Sequence, residues 1–186
     1  MEFLSDRVST QRAADGAFSV VISNRLPKRQ LYLLLGWLVA WTFCGVAFVV
    51  EAVRNTNPDL RVPLMVMIAF WAYFEIRTVR TVLWRTKGHE LWRVHEGELT
   101  VKDSLFGYGK ASRYFIANIQ RFGLLTIEET SWKWQMNDSF WTRGGERVGF
   151  EYQGKKVAIG RGLTAEEARN LAHAVGKELT RARKAQ

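Results

Sequence analysis

Hydrophobic and polar residues are unevenly distributed along the chain, and the first half carries the longest apolar run. Residues 31–50 are twenty consecutive positions without a charged side chain. A helix of this length, at about 1.5 Å per residue, is about 30 Å long and matches the hydrocarbon core of a bilayer. A signal peptide has a shorter apolar region, and here a polar segment of thirty residues comes first. The pattern therefore predicts a transmembrane helix over residues 31–50.

A second apolar stretch, residues 62–83, follows a loop that is rich in turn-forming residues. Its uncharged part, residues 62–74, gives only about 20 Å of helix, so a complete crossing must include the charged residues that follow. These residues are Glu75, Arg77 and Arg80. The sequence therefore predicts a helical hairpin whose second helix carries charges near one end.

The charged residues of this second helix have two different interpretations. Arg77 and Arg80, with Arg85 just beyond them, lie near the predicted membrane boundary, where long basic side chains reach lipid headgroups. Glu75 lies deeper and, at about 100° per residue, points away from Arg77 and Arg80. Glu75 is either solvated near the interface or contacts another group. Such a group is a partner on the first helix such as the indole N–H of Trp37, a basic flank such as Lys28 or Arg29, or a second protein; a protonated carboxyl is a further alternative.

The first helix also carries a stripe of small residues, Gly36, Ala40 and Cys44, at a spacing of four. Small residues at this spacing let two helices approach closely. We expect the stripe to seat the second helix, with a binding face for another subunit as the alternative. Cys44 is the only cysteine, so no intrachain disulfide forms.

Charge predicts the orientation of the hairpin. Residues 1–30 carry five Lys/Arg against three Asp/Glu, and residues 84–186 carry eighteen against twelve. Basic flanks of apolar helices stay on the cytoplasmic side, so both termini are predicted to be cytoplasmic, at the inner membrane of a bacterium. This orientation accounts for the net charge of +9, and we expect no nucleic-acid partner. The domains are then a cytoplasmic segment 1–30, the hairpin 31–84 and a cytoplasmic domain 85–186.

The cytoplasmic domain shows the alternation typical of strands. Two hairpins are predicted, each with a two-residue turn that ends in glycine, Glu96-Gly97 and Gln153-Gly154. The last twenty residues or so are helical, and Thr164 with Glu167 forms a capping box. The predicted strands are 90–95, 98–103, 110–116, 118–129, 132–136, 146–152 and 155–160, with residues 17–23 as an additional edge strand. The fold class is therefore an α+β membrane protein with an antiparallel β-barrel closed by a C-terminal helix.

Two segments of this domain, HELWRVHEGELTV (89–101) and RVGFEYQGKKVAIGRGLTAEEARNLAHAVGKEL (147–179), carry a family resemblance. Two predicted apolar helices followed by these two segments resemble the uncharacterised bacterial two-span membrane proteins with a pleckstrin-homology-like (PH-like) domain. The layout is also similar to that of the photosystem I assembly factor family. The resemblance covers residues 17–180 and implies a PH-like fold. In eukaryotic relatives, basic residues of the first hairpin loop hold phosphoinositides, but here that loop is short and acidic, which argues against this activity.

Two groups of residues are candidates for binding: the first is aromatic and lies within residues 132–143, and the second is basic and lies within residues 155–161. Aromatic residues and arginine dominate protein contacts, so the first group predicts a partner-binding loop, with an interfacial membrane belt or, for its first two tryptophans, the barrel core as alternatives. The second group predicts an anion site, because glycines precede a helix N-terminus there; the alternative is that these glycines only turn the chain. The first group is Trp132, Trp134, Phe140, Trp141 and Arg143, and the second is Lys155, Lys156 and Arg161.

Catalytic motifs are not found in the sequence. There is no nucleophile elbow, phosphate-binding loop, dinucleotide fingerprint or metal-ligand spacing, so we expect no enzyme activity, cofactor or metal. The favoured function is a non-catalytic accessory subunit or assembly scaffold of an integral membrane protein complex, of a photosynthetic or respiratory kind. The alternative is a peripheral sensor that binds membrane lipids or other anions through the second group of residues.

Overall fold

Two antiparallel sheets, a pair of long apolar helices and a C-terminal helix make up the computed structural model, which describes residues 2–128 and 130–184. The first sheet has six strands in chain order: β1 (Glu2–Phe3), β2 (Val8–Arg12), β3 (Phe18–Ser23), β4 (Gly88–His95), β5 (Glu98–Leu105) and β6 (Ala111–Phe115). The second has three: β7 (Ile119–Leu124), β8 (Glu146–Tyr152) and β9 (Lys155–Arg161). The helices are α1 (Lys28–Arg54), α2 (Pro58–Lys87), α3 (Trp132–Asn137) and α4 (Ala165–Lys184).

Helices α1 and α2 are long and apolar enough to cross a membrane. Only 11% of the most apolar window of α1 is buried, and none of that of α2, so neither is the core helix of a globular domain. The short loop between them ends in a well-formed helix start. The side chain of Asn57 accepts a hydrogen bond from the Asp59 N–H at 3.0 Å. Pro58 occupies the first turn, where a backbone N–H would have no partner within the helix.

The contact between α1 and α2 follows a spacing of four and three, as in a coiled-coil seam. On α2 the protected positions include Trp71, whose indole N–H donates to the carbonyl oxygen of Trp41 at 2.9 Å. Trp71 lies against Gly45, where a β-carbon would be only 1.8 Å from the ring. The protected residues of α1 include Leu34, Leu38, Trp41, Gly45 and Phe48, and those of α2 include Leu64, Ile68, Trp71, Glu75 and Thr78.

The small-residue stripe does not take part in this contact. Gly36, Ala40 and Cys44 are all exposed, and a β-carbon at Gly36 would meet no atom within 4 Å. The expectation that the stripe seats the second helix is therefore wrong. The seam passes through Gly45, one residue beyond Cys44 and about 100° further around α1.

The hairpin is an insertion in the first sheet. Strand β3, which precedes α1, pairs with β4, which follows α2, from Phe18 opposite Val94 to Ser23 opposite His89. The strand expected at residues 17–23 does form, over Phe18–Ser23, but its predicted edge position is wrong, because β2 pairs along its other side. The N-terminal segment and the C-terminal half of the chain therefore build one sheet.

The two sheets do not close into the predicted barrel. Among the described residues no strand pair joins them, and a single 3-10 turn, Ile116–Asn118, carries the chain from one sheet to the other. Helix α4 packs against strands of both sheets and fills the space between them. The buried core includes Trp92, Leu99, Ile116, Val148, Phe150, Leu171, Val175 and Leu179.

Local turn and cap signals are confirmed. Glu96 and Gln153 adopt φ of 47° and 50°, and the glycines after them 76°, as a two-residue hairpin turn of the primed type requires. The capping box of α4 is present: the Thr164 N–H donates to Glu167 at 2.8 Å and the Glu167 N–H to the Thr164 hydroxyl at 3.2 Å.

Residue Glu167 also anchors the N-terminal segment. Its carboxylate pairs with the Arg7 guanidinium at 2.6 Å and accepts from the Ser5 hydroxyl at 2.8 Å. Burial alone would raise the pKa of Glu167, but the Thr164 N–H, the Ser5 hydroxyl and Arg7 outweigh it, and the pKa is lowered. The charged form of this carboxylate therefore stabilises the folded chain.

The predicted strand 132–136 is instead the six-residue helix α3. Alternation over three apolar positions is too short to separate a strand from a helix, and here the Gln135 N–H bonds to the Ser131 carbonyl as a helix requires. The preceding strand is also shorter than predicted, since β7 ends at Leu124.

Candidate functional site

The base of the helical hairpin is built into the sheet domain. Helix α2 runs into β4 without a linker, and its last turns are buried at Thr81, Val82, Trp84 and Arg85. A flexible connection would leave such residues exposed, so the hairpin and the domain form a joined structure at this point.

Arg85 connects the end of α2 to the sheet domain through hydrogen bonds of its buried side chain. It is 4% exposed, its Nε donates to the carbonyl of Thr142 at 2.8 Å, and its Nη2 donates to that of Ser139 at 3.2 Å. The prediction that Arg85 reaches lipid headgroups is therefore wrong. Five residues at about 100° each place Arg85 some 140° around α2 from Arg80, on the side that the domain covers.

The loop that receives Arg85 depends on a close backbone approach. A β-carbon at Gly144 would lie 2.8 Å from the Cα of Gly162, and Gly144 has φ of 90°, so glycine is required there. Next to it, Asp138 pairs with Arg147 at 3.1 Å. Backbone packing against Gly162 and the ion pair with Arg147 thus hold the loop to the domain, in a position where its carbonyls accept from Arg85 of α2.

The predicted partner-binding residues separate into inner and outer members. Trp134 is an inner one: it packs on Gly145, and the guanidinium of Arg147 lies 4.8 Å above its ring. Trp132 is 73% exposed, and Met136, four residues on along α3, is 59% exposed. The alternative that placed Trp132 in a barrel core is therefore wrong, and Trp132 with Met136 forms an exposed apolar face.

The tip of the same segment touches the hairpin. The ring of Trp141 packs edge-on against Trp37 of α1 with centroids 5.6 Å apart, and Phe140 lies beside it at 4.5 Å. Trp37 in turn stacks on Trp41 at 6.0 Å. Trp141 keeps 41% exposure, so the tip lies beside the apolar surface of α1 and is partly open.

A groove of about 740 Å³, here called the junction groove, lies between α2 and the domain. From the domain, the guanidinium of Arg143 lies 4.5 Å above the ring of Trp84 on α2. The residues that line the groove include Tyr73, Ile76, Arg77, Arg80 and Trp84 on the helix and Leu105, Asn137, Arg143, Glu146 and Arg161 on the domain. The groove therefore collects four arginines and one carboxylate.

The four arginines differ in their partners. Arg161 is neutralised, because its Nε pairs with Glu146 at 2.7 Å and its Nη1 with Asp103 at 3.0 Å. Although burial lowers the pKa of Arg161, these carboxylates outweigh it and raise the pKa. The other three, Arg77, Arg80 and Arg143, have no carboxylate within 4.0 Å in residues 2–128 and 130–184.

Burial lowers the pKa of Arg143, and the neighbouring charges of Arg161 and Arg80 act in the same direction, against Asp103 and Glu146. Arg80 and Arg143 therefore lie close enough to repel each other. The junction groove has a surplus of positive charge that the described part of the chain does not cancel.

The predicted anion site beside α4 holds a carboxylate of the protein itself. The N–H groups of Gly160 and Arg161 each donate to Glu90 at 3.0 Å, and the indole N–H of Trp92 donates to it at 2.7 Å. Glu90 is 1% exposed, and burial raises its pKa against these three hydrogen bonds. The N–H of Gly162 is also used, by the Gly145 carbonyl at 3.0 Å.

The three residues predicted for that site are not brought together. Lys155 and Lys156 are exposed at the turn between β8 and β9, whereas Arg161 is at the other end of β9. At about 3.4 Å per residue the ends of this strand are about 20 Å apart. A combined anion site of Lys155, Lys156 and Arg161 is therefore wrong.

Glu75 faces α1. Its Oε1 lies 2.8 Å from the Thr42 hydroxyl, and its Oε2 has no hydrogen-bond partner in the described chain. The contact of Glu75 on the first helix is therefore with Thr42 and not with Trp37. The sequence could not show this, because the register of α1 against α2 depends on the Gly45 contact.

Within the described ranges no group of three or more His, Cys, Asp or Glu side chains is arranged to hold a metal ion. No protein-family model matches the chain, and no curated protein or solved structure matches it either. The fold and the site define an α+β chain in which two exposed apolar helices are inserted in a β-sheet domain, with a cationic groove where the two meet.

Proposed function

We propose that this chain is a non-catalytic protein, anchored by α1 and α2 in the bacterial inner membrane, that serves as an accessory subunit or assembly scaffold of a larger membrane protein complex. The observation that carries this proposal is the joint between the hairpin and the domain. Because α2 enters β4 directly and Arg85 is bonded inside the domain, the hairpin fixes the height and orientation of the domain. An anchor that only tethered a domain would not need this rigidity.

Membrane anchoring is supported by the exposed apolar surface of the hairpin. Large apolar side chains are exposed from Tyr32 to Val53 on α1 and from Leu60 to Ile76 on α2. At about 1.5 Å per residue these segments are about 32 and 24 Å long, close to the thickness of a hydrocarbon core. Soluble monomers rarely expose a continuous apolar patch of this size. The excess of basic residues in both flanking segments favours cytoplasmic termini.

The surfaces proposed for the partner are the exposed face of Trp132 and Met136 on α3 and the partly exposed loop tip at Trp141. Met136 lines a groove together with Arg77 of α2, and Trp141 packs on Trp37 of α1, so both lie beside the hairpin, at the level where a membrane complex presents its cytoplasmic loops. Exposed tryptophan and methionine are enriched in the centres of protein interfaces, where few residues carry most of the binding energy. Arg143, the remaining exposed member of the predicted group, faces the junction groove instead.

A PH-like classification of the domain is part of this proposal. It is supported by the packing of α4 against both antiparallel sheets, after the two glycine-ended hairpins that carry the resemblance. The similar layout of photosystem I assembly factors is what suggests a photosynthetic or respiratory complex as the partner.

The proposal is tested by extracting native membranes with a mild detergent and sizing the extract. The chain should co-migrate with a larger complex, and Trp132→Ala should release it, with about thirtyfold weaker association if Trp132 is worth about 2 kcal/mol. The matched control is Phe115→Ala, since Phe115 is 58% exposed on β6, away from this face. Migration of the unmodified chain as a lone small species would contradict a scaffold role.

A further inference from the structure

We propose that the junction groove binds the phosphate of an anionic phospholipid headgroup through Arg77, Arg80 and Arg143. This inference rests on the proposed membrane anchoring of α1 and α2, and it assigns to the hairpin base a ligand of its own. It differs from simple contact of basic side chains with the bilayer surface, because one of the three arginines comes from the domain.

The charges of the groove point to an anion. The guanidinium groups of Arg77, Arg80 and Arg143 have no carboxylate partner in the described chain, whereas Glu146 and Asp103 are already used by Arg161. Counting the four arginines and these two carboxylates, the groove keeps a surplus of two positive charges. Guanidinium groups bind phosphate oxygens in pairs of parallel hydrogen bonds, so three of them suit a phosphate better than a carboxylate.

The position of the groove points to a lipid and not to a soluble anion. The exposed apolar surface of α2 ends at Ile76, and Arg77 and Arg80 occupy the next turn. Tyr73, whose hydroxyl lies 3.4 Å from Arg77, continues the groove towards the apolar helix surface. A ligand with a phosphate among the arginines would therefore place any attached acyl chains along α2.

The size and charge of the groove also predict which headgroup is preferred. A volume of about 740 Å³ accommodates a small polar group beyond the phosphate, within the range of ordinary ligand pockets. A choline headgroup would bring a second positive charge among three guanidinium groups, which repel it. A glycerol headgroup has no charge and donates hydrogen bonds, so phosphatidylglycerol should bind more tightly than phosphatidylcholine.

The test uses the full chain in detergent micelles, titrated with phosphatidylglycerol and separately with phosphatidylcholine, with native mass spectrometry to count the bound lipid. The unmodified chain should bind phosphatidylglycerol more tightly. The variant Arg80→Gln with Arg143→Gln should weaken this binding about fivefold for each arginine removed. The control Arg113→Gln with Arg169→Gln removes the same charge at exposed positions outside the groove and should leave binding unchanged.

Two results would overturn the proposal. An equal loss in the control variant would show that total charge and not the groove attracts the lipid. Binding of inorganic phosphate with the same dependence on Arg80 and Arg143, together with displacement of the lipid by it, would show that the occupant is a soluble anion.

The two proposals fail in different ways. If alkaline carbonate extracts the chain from membranes, the anchoring itself is wrong, and the lipid site with it. If the chain stays in the membrane fraction and binds phosphatidylglycerol in the groove but migrates alone, only the scaffold role is wrong.

Discussion

Replacing Glu90 by glutamine tests whether the buried carboxylate organises the end of β9. The Glu90 carboxylate accepts from Trp92, Gly160 and Arg161, and it is 1% exposed. A glutamine amide keeps one oxygen acceptor but replaces the other by a donor. At least one of the three N–H groups, for example that of Arg161, then faces another donor in a site without water access.

The magnitude follows from the cost of an unsatisfied buried polar group, about 1–3 kcal/mol. For a chain of this length, about 2 kcal/mol corresponds to a fall of about 4–8 °C in melting temperature. The assay is thermal unfolding of the full chain in detergent micelles, followed by near-ultraviolet circular dichroism. The matched control is Glu96→Gln, because the Glu96 side chain is 84% exposed in a hairpin turn.

The effect of Glu90→Gln should also depend on pH. Burial raises the pKa of Glu90 above its ordinary value of 4.5, so folding shifts this carboxyl towards its protonated form, in which both oxygens still carry lone pairs that accept from the three N–H groups. The stability that this group contributes is complete below pH 4.5 and is lost as the pH rises through the folded pKa. The difference in melting temperature between the unmodified chain and Glu90→Gln should therefore narrow as the pH rises. Equal melting temperatures for Glu90→Gln and Glu96→Gln at every pH would refute this reasoning.

Two further predictions concern the hairpin and the N-terminal segment. Gly45→Leu should force Trp71 out of the contact between α1 and α2 and destabilise the helix pair by about 1–3 kcal/mol, whereas Gly36→Leu, on the exposed side of α1, should not. Thermal unfolding of the two variants in detergent measures the difference, and equal stability would show that α2 does not pack against Gly45. Because the pKa of Glu167 is lowered, the stability that Glu167 contributes is present above pH 4.5 and is lost as the pH falls through the folded pKa. Glu167→Gln should therefore remove part of the acid-induced loss of stability, whereas Glu166→Gln, at an exposed position, should not. Identical acid unfolding curves for the two variants would contradict this.

The features that the sequence predicted well are those with local causes. A two-residue turn that ends in glycine fixes its own hairpin, and the turns at 96–97 and 153–154 have the positive φ angles that only a few residue types accept. The start of α4 is equally local, because Thr164 and Glu167 satisfy each other's N–H groups. Such signals need no knowledge of the rest of the fold.

The features that it did not predict depend on residues far apart in the chain. The stripe of small residues through Gly36 has the composition of a helix contact but lies on the wrong face of α1, since the contact between the helices is set by Trp71 against Gly45. In the sequence, Arg85 has the same apparent role as Arg80 at the membrane boundary, because the carbonyls that bind it belong to a loop more than fifty residues further along the chain. A signal for Glu90 was present, because it alternates in phase with Trp92 and Val94 along β4, which marks an inward-facing charge.

The insertion of the hairpin between β3 and β4 also constrains topology more strongly than charge does. Because the strand that precedes α1 and the strand that follows α2 are neighbours in one sheet, both ends of the hairpin must lie on the same side of any bilayer that it crosses. The six residue pairs from Phe18–Val94 to Ser23–His89 cannot form across a membrane. Basic flanks are then needed only to choose between the two faces, and a hairpin with an even number of crossings is the only insertion that this sheet permits.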